Sequence, residues 1–115
     1  MQYILVFGSL RLKSNRGFNY GRCGQQVFIK QIKLQGFELY DLGSYPTVCA
    51  GEGTITAELH GVDETTFLRI KNMENSAGYQ ERLINIDGID ATIFVWEKKD
   101  IIKLKLDKVE SGDWS

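Results

Sequence analysis

Glu74 is the residue whose type and spacing best fit acid–base chemistry. It follows Phe67 and Ile70 in an i, i+3, i+7 pattern, which places a carboxyl group on the apolar face of a predicted helix. Burial on that face and the negative end of the helix dipole both favour the protonated form, so we expect a pKa raised toward neutrality. A carboxyl group of this kind can accept and return a proton near neutral pH.

The end of this helix decides the environment of Glu74. A helix that ends a residue or two earlier leaves the carboxylate in a solvated loop, next to Asn75 and Ser76. Periodicity places helix ends only to within a few residues, so the pattern alone leaves both alternatives open.

A second candidate feature lies where the first predicted strand, residues 3–7, ends in a glycine and a serine. Successive backbone N–H groups of Gly8, Ser9 and Leu10 can form a nest that binds a carboxylate or a developing oxyanion. A routine junction between a strand and a turn is the alternative interpretation of the same residues.

The sequence predicts no metal site. It contains no Cys-x-x-Cys motif, and His60 is its single histidine. Cys23 and Cys49 are expected to be free thiols, since a pair of cysteines without signs of secretion rarely forms a disulfide.

The elements that must position these residues fit one domain over residues 1–115, because this length supports a single core. Short apolar runs separated by glycines predict a small mixed β structure with few helices. Asp63 is expected to cap the helix, with Glu64 in its first turn. Strands are expected at residues 3–7, 27–34, 54–62, 80–86 and 91–96. The stretch "GFELYDLGSYP" is expected to contain a turn at Gly36, a further strand and a second turn that ends at the only proline. A turn at 87–88 and a short strand in the tail are also expected.

Charge is distributed unevenly. Residues 1–37 carry six basic and no acidic side chains, while the rest carries eight basic and 15 acidic ones. This asymmetry favours a small anionic ligand, although surface charge scattered by chance explains it equally well. No long basic run indicates a nucleic-acid polymer as partner. No signal sequence or membrane-spanning stretch is recognisable, so we expect a cytoplasmic protein without a membrane partner.

Five stretches, in chain order, resemble the gamma-glutamylcyclotransferase-like family, in particular its short bacterial members. The resemblance covers nearly the whole chain. The stretches are "YILVFGSLRLKSN", "GFELYDLGSYPTV", "GTITAELHGVD", "LRIKNMENSAGYQERLI" and "ESGDW".

The resemblance implies an α+β fold, a small mixed or closed β-barrel with one or two packed helices. It also implies a reaction, in which a gamma-glutamyl amine or amide cyclises to 5-oxoproline and releases the free amine. Glu74 matches the catalytic glutamate of the family, and no metal or cofactor is required. The residues that match substrate-binding positions are Phe7, Gly8, Ser9, Leu10, Tyr79 and Phe94, with Trp96 as the competitor of Phe94.

The sequence also departs from the family pattern. Phe7 replaces the usual tyrosine, Lys71 stands where aspartate is common, and the segment from Glu74 to Tyr79 is one residue shorter than in many relatives. Asn75 replaces a glycine, which is tolerable because asparagine can adopt the left-handed conformation. An alternative function is therefore a binding protein that holds or sequesters a small anionic metabolite or nucleotide-like signal in the same pocket without turning it over.

Overall fold

The computed structural model describes residues 1–8, 26–43 and 45–114. Within these residues, six strands form one mixed sheet in the order β4-β5-β1-β3-β2-β6. The sheet curls into a half-barrel and carries two helices, which confirms the predicted α+β class. The strands are β1 (Gln2–Val6), β2 (Gln26–Asp41), β3 (Pro46–Val62), β4 (Gln80–Ile86), β5 (Ile89–Val95) and β6 (Asp107–Lys108), and the helices are α1 (Glu64–Ser76) and α2 (Lys98–Leu104).

Strand β1 lies in the middle of the sheet, antiparallel to β3 and parallel to β5. Because successive side chains of a strand point to opposite faces, β1 contributes to two apolar clusters. The inner core lies within the curl and includes Leu5, Leu59 and Ile93. The helix-side core lies under α1, and its members are Ile4, Val6, Val62, Ile70, Tyr79 and Phe94.

Strands β2 and β3 form a long hairpin. Gly36, where the sequence predicted a turn, has φ +91° and lies at a shift of register within β2, so this prediction was wrong and the glycine marks a β-bulge. The connection lies further along, where the Leu42 N–H donates to the carbonyl of Tyr45 at 3.0 Å. Strand β3 begins at Pro46 rather than at the predicted Thr54.

Helix α1 begins as predicted. The Asp63 carboxylate accepts a hydrogen bond from the Thr66 N–H at 2.7 Å. Asn75 lies inside the helix and does not adopt the left-handed conformation. Gly78 adopts it instead, with φ +87°, and the next N–H, that of Tyr79, bonds back to the Glu74 carbonyl at 3.0 Å.

The predicted turn between β4 and β5 is confirmed, with Asp87 and Gly88 both at positive φ. The tail contains the short strand β6, as expected, and also helix α2, which the sequence did not specify. Neither of the helices in the described part of the chain is long and apolar enough to cross a membrane.

Two residues noted in the sequence lie buried within β3. The His60 side chain lies 2.9 Å from the Glu58 carboxylate and 3.0 Å from the Gln26 amide. Cys49 carries a free thiol, as expected, while Cys23 lies outside the described residues.

Candidate functional site

A cavity of about 270 Å³ lies between the end of β1, the last turns of α1 and the start of β3. Most of its lining is apolar. The described residues that line it are Ile4, Leu5, Val6, Phe7, Gly8, Tyr45, Pro46, Ile70, Met73, Glu74, Ala77, Tyr79 and Phe94.

Glu74 lies in α1, two residues before its last residue, and lines this cavity. The alternative in which the helix ends early is therefore wrong. Ile70, one turn earlier on the same face, is only 1% exposed and fixes this side of the helix against the sheet. Burial raises the pKa of Glu74 to about 7, in the direction that the sequence predicted.

The residues at the end of β1 also line the cavity. Phe7 is half-buried and Gly8 is buried, and both contribute to the lining. A Cβ atom on Gly8 would lie 2.6 Å from Cδ of Pro46, so no larger residue fits between β1 and the proline ring. Close packing accounts for this glycine. The predicted contributions of Ser9 and Leu10 lie outside the described residues.

Tyr79 and Phe94 also line the cavity and are buried. The Tyr79 hydroxyl donates to the Pro46 carbonyl at 3.3 Å, and burial, aided by the neighbouring Glu74, raises the pKa of this phenol to about 12. Trp96, the competitor of Phe94, packs against the Tyr79 ring with a centroid distance of 5.5 Å and is not among the described lining residues.

Sequence reasoning assigned no role to several lining residues, although signals for them were present. Met73 and Ala77 follow Ile70 at i+3 and i+7, so the periodicity that identified Glu74 applies to them as well. Tyr45, which directly precedes β3, and Pro46, the first residue of β3, also line the cavity.

The described lining contains no basic side chain. Of the six basic residues before residue 38, Lys30 bonds to Asp87 at 2.7 Å and Lys33 bonds to the Thr56 hydroxyl at 2.7 Å. Both amino groups therefore interact with other parts of the sheet. The remaining four lie outside the described residues.

Clusters of side chains that could bind a metal ion are also absent from the described residues. Within residues 1–8, 26–43 and 45–114, no group of three or more His, Cys, Asp or Glu side chains could hold a metal ion. Glu74 is the only carboxyl group among the described residues that line the cavity.

Comparison with known proteins places the chain in a family. Residues 4–115 match the family model described as "Gamma-glutamyl cyclotransferase, AIG2-like". The Escherichia coli K12 protein named gamma-glutamylcyclotransferase family protein YtfP is 31% identical over 112 residues, which cover 96% of this chain and 94% of YtfP.

Solved structures agree. The crystal structure of PH0828 from Pyrococcus horikoshii has a TM-score of 0.77 at 25% identity and covers 99% of this chain and 90% of PH0828. The solution structure of Escherichia coli YtfP has a TM-score of 0.76 at 28% identity, with 98% and 96% coverage. The chain therefore belongs to the gamma-glutamylcyclotransferase-like, or AIG2-like, family.

Proposed function

We propose that this protein is an enzyme that cyclises a gamma-glutamyl amine or amide to 5-oxoproline and releases the free amine, with Glu74 as the general acid and base. The observation that carries the proposal is a single carboxyl group with a pKa of about 7 in the described lining of the cavity, which Phe7 and Gly8 at the end of β1 also line. A group with this pKa exchanges protons readily in both directions near neutral pH.

In the proposed reaction, the substrate's own α-amino nitrogen attacks the carbonyl carbon of its side-chain amide. One C–N bond forms to close the five-membered ring, and the original amide C–N bond breaks. Glu74 takes a proton from the attacking nitrogen and gives one to the departing nitrogen, so the carboxylate is regenerated and no water is consumed. Because nucleophile and carbonyl belong to one molecule, holding the reactive conformer supplies much of the rate enhancement.

The end of β1 is suited to hold the glutamyl head group. Phe7 and Gly8 bring main chain to the cavity wall, where a side chain on Gly8 would clash with Pro46. Successive backbone N–H groups that face a cavity can bind a ligand carboxylate. The proposed contribution of Ser9 and Leu10 to the same nest follows from the sequence alone.

The buried aromatic residues would complete the site without taking part in proton transfer. Tyr79, with a pKa of about 12, remains protonated at neutral pH, and its hydroxyl donates to the Pro46 carbonyl. Phe94 contributes an apolar wall, where loss of water strengthens the electrostatic interactions of Glu74.

The test is release of 5-oxoproline from a panel of gamma-glutamyl amides by the wild-type protein and by Glu74→Gln. We expect the variant to lose about 100-fold to 10,000-fold in kcat, the usual range for a positioned acid–base group. Glu64→Gln is the matched control, because Glu64 lies in the exposed first turn of the same helix and outside the cavity lining.

The outcomes separate the proposed enzyme from the alternative binding protein. Equal turnover by Glu74→Gln would remove Glu74 from the mechanism. A wild-type protein that binds gamma-glutamyl amides but never releases 5-oxoproline would contradict the catalytic proposal and favour a binding function.

A further inference from the structure

A second cavity, of about 220 Å³, lies between strand β4 at the edge of the sheet, the end of β5 and the beginning of α2. The described residues that line it are Ala50, Gln80, Glu81, Arg82, Val95, Trp96, Glu97 and Lys98. This set shares no member with the described lining of the cavity that contains Glu74. The two cavities are neighbours, because the Trp96 ring packs against Tyr79, which lines the Glu74 cavity.

The pairing of β4 with β5 directs two polar side chains to this second cavity. Gln80 and Arg82 lie opposite Val95 and Ile93, and opposite residues of a ladder share one face of the sheet. Both side chains therefore leave β4 on the side of the inner core. The Gln80 amide donates to the Glu97 carboxylate at 3.2 Å, so β4 and the start of α2 meet at this end of the cavity.

The charged side chains of the lining are balanced. Arg82 and Lys98 are basic, and Glu81 and Glu97 are acidic. An anion alone would meet two carboxylates here, and a cation alone would meet two basic groups. A ligand that carries both charges matches this lining best.

Two of the four charged groups are directed to partners in other elements. Lys98 lies 3.2 Å from Glu38, whose side chain is only 12% exposed. Glu81 lies opposite Phe94, on the helix side of the sheet, and pairs with Lys71 of α1 at 3.2 Å. Arg82 and Glu97 are therefore the groups best placed to bind a ligand.

Arg82 and Glu97 have complementary chemistry at a suitable spacing. Arg82 is exposed, and a guanidinium group can bind a carboxylate through two parallel hydrogen bonds. Glu97 pairs with Lys99 at 3.2 Å, but exposed ion pairs of this kind contribute little, so a ligand ammonium group can replace the lysine. Arg82 follows Gln80, the partner of Glu97, by about 7 Å along the strand, within the span of a small zwitterion.

The rest of the lining is suited to an apolar group. Val95 is buried, and Ala50 and the Trp96 indole add further apolar surface. A hydrophobic side chain that covers this surface removes it from water, which favours binding.

From this arrangement we infer that the second cavity binds a free α-amino acid with an apolar side chain. The carboxylate of the ligand lies against Arg82, its ammonium group against Glu97, and its side chain against Val95 and Trp96. The site is separate from the proposed catalytic site, and its occupation requires no cyclisation.

The test uses L-leucine and two compounds that each lack one of its charges. Isocaproate is leucine without the amino group, and isoamylamine is leucine without the carboxylate. We expect each of them to bind the wild-type protein at least about ten-fold more weakly than L-leucine, measured by calorimetry and by tryptophan fluorescence.

Variants of the lining connect binding to the two charged groups. Arg82→Gln is expected to weaken L-leucine binding by at least about ten-fold. Arg69→Gln is the matched control, because Arg69 is exposed on α1 and lines neither cavity, and it should leave the affinity unchanged. Glu97→Gln should weaken the binding of L-leucine but strengthen that of isocaproate, since a repelling carboxylate is removed.

The outcomes separate this inference from the proposed function. Glu74→Gln should bind L-leucine as the wild type does, and loss of binding in this variant but not in Arg82→Gln would place the ligand in the Glu74 cavity and overturn the inference. Equal binding of isocaproate and L-leucine by the wild type would overturn the assignment of a zwitterion. Millimolar L-leucine that produces neither heat nor a change in fluorescence would overturn the site itself. Each of these results leaves the release of 5-oxoproline untouched.

Discussion

One face of β1 contributes to the inner core, and the other contributes to the cavity. Leu5 points into the inner core, where its cross-strand neighbour Leu59 is 0% exposed. Ile4 and Val6, one residue to either side, point toward α1 and form part of a cavity of about 270 Å³. Because alternation along a strand separates its faces, one strand of five residues supports both the stability of the sheet and an open site.

Packing also differs between the inner core and the helix side of the sheet. The inner core collects side chains from β1, β2, β3 and β5, and these side chains are buried. Helix α1 buries only Thr66 and Ile70, and its cavity-facing residue Met73 stays 43% exposed. We therefore expect the free energy of unfolding to depend mainly on the inner core and less on the side chains under α1.

Leu59→Ala tests the inner core and should have the largest effect on stability. Deleting a fully enclosed leucine leaves a cavity, so we expect a loss of about 2–5 kcal/mol in the free energy of unfolding, measured by urea denaturation. Met73→Ala is the comparison on the cavity side and should cost less than about 1 kcal/mol, since the side chain is half-exposed. Equal losses would contradict the division between the two faces.

The pH dependence of stability tests the cavity side. Glu74 has a folded-state pKa of about 7 against an ordinary value of 4.5, so the native protein holds this proton more tightly than the unfolded chain. Its contribution to stability is fully present below pH 4.5 and is lost as pH rises through about 7. Activity should rise over the same interval, because the base must be deprotonated to accept a proton.

The measurement is the difference in unfolding free energy between the wild type and Glu74→Gln at a series of pH values. We expect the wild type to lose stability relative to the variant between pH 4.5 and about 7, and the difference to level off above that range. A difference that stays constant across this interval would mean that Glu74 is solvated and that its pKa is ordinary.

Gly8→Ala tests the close contact between β1 and Pro46 at the boundary of the cavity. The new methyl group would lie 2.6 Å from the proline Cδ, and overpacking of this kind typically costs about 1–3 kcal/mol. Adding Pro46→Ala to the Gly8→Ala variant removes the opposing ring and should recover much of the lost free energy of unfolding. A double-mutant cycle measures this coupling, and strictly additive effects would show that the ring is not the cause.

Much of the helix side could be predicted from the sequence, because its signals are local. Asp63 is followed by a periodic apolar pattern that extends through Ile70 to Glu74, and together they define the helix start, its buried face and the carboxyl group on that face. The turn at Asp87 and Gly88 is equally local, since its positive φ angles suit these residue types.

The features of the fold and of the cavity that the sequence did not predict depend on contacts between distant residues. Gly36 at positive φ is compatible with a bulge or a turn, and only pairing with β3 makes it a bulge. Gly8 packs against Pro46, 38 positions later in the sequence, so no local signal predicts this contact. The position of the left-handed residue, Gly78, depends on where tertiary packing ends the helix.

Tyr79→Phe should have the smallest effect and tests how far the cavity depends on its hydroxyl. The bond from this hydroxyl to the Pro46 carbonyl is 3.3 Å long, so its removal is expected to cost about 0.5–1.5 kcal/mol, with a value near the lower end. Tyr45→Phe is the matched control, because Tyr45 lines the same cavity but is 47% exposed. It should change the free energy of unfolding by less than about 0.5 kcal/mol. Because Tyr79 stays protonated at neutral pH, the pH profile of turnover should keep its midpoint near that of Glu74 in the variant. A midpoint displaced by a full pH unit would instead show that the phenol belongs to the proton-transfer machinery, and that the carboxyl group does not act alone.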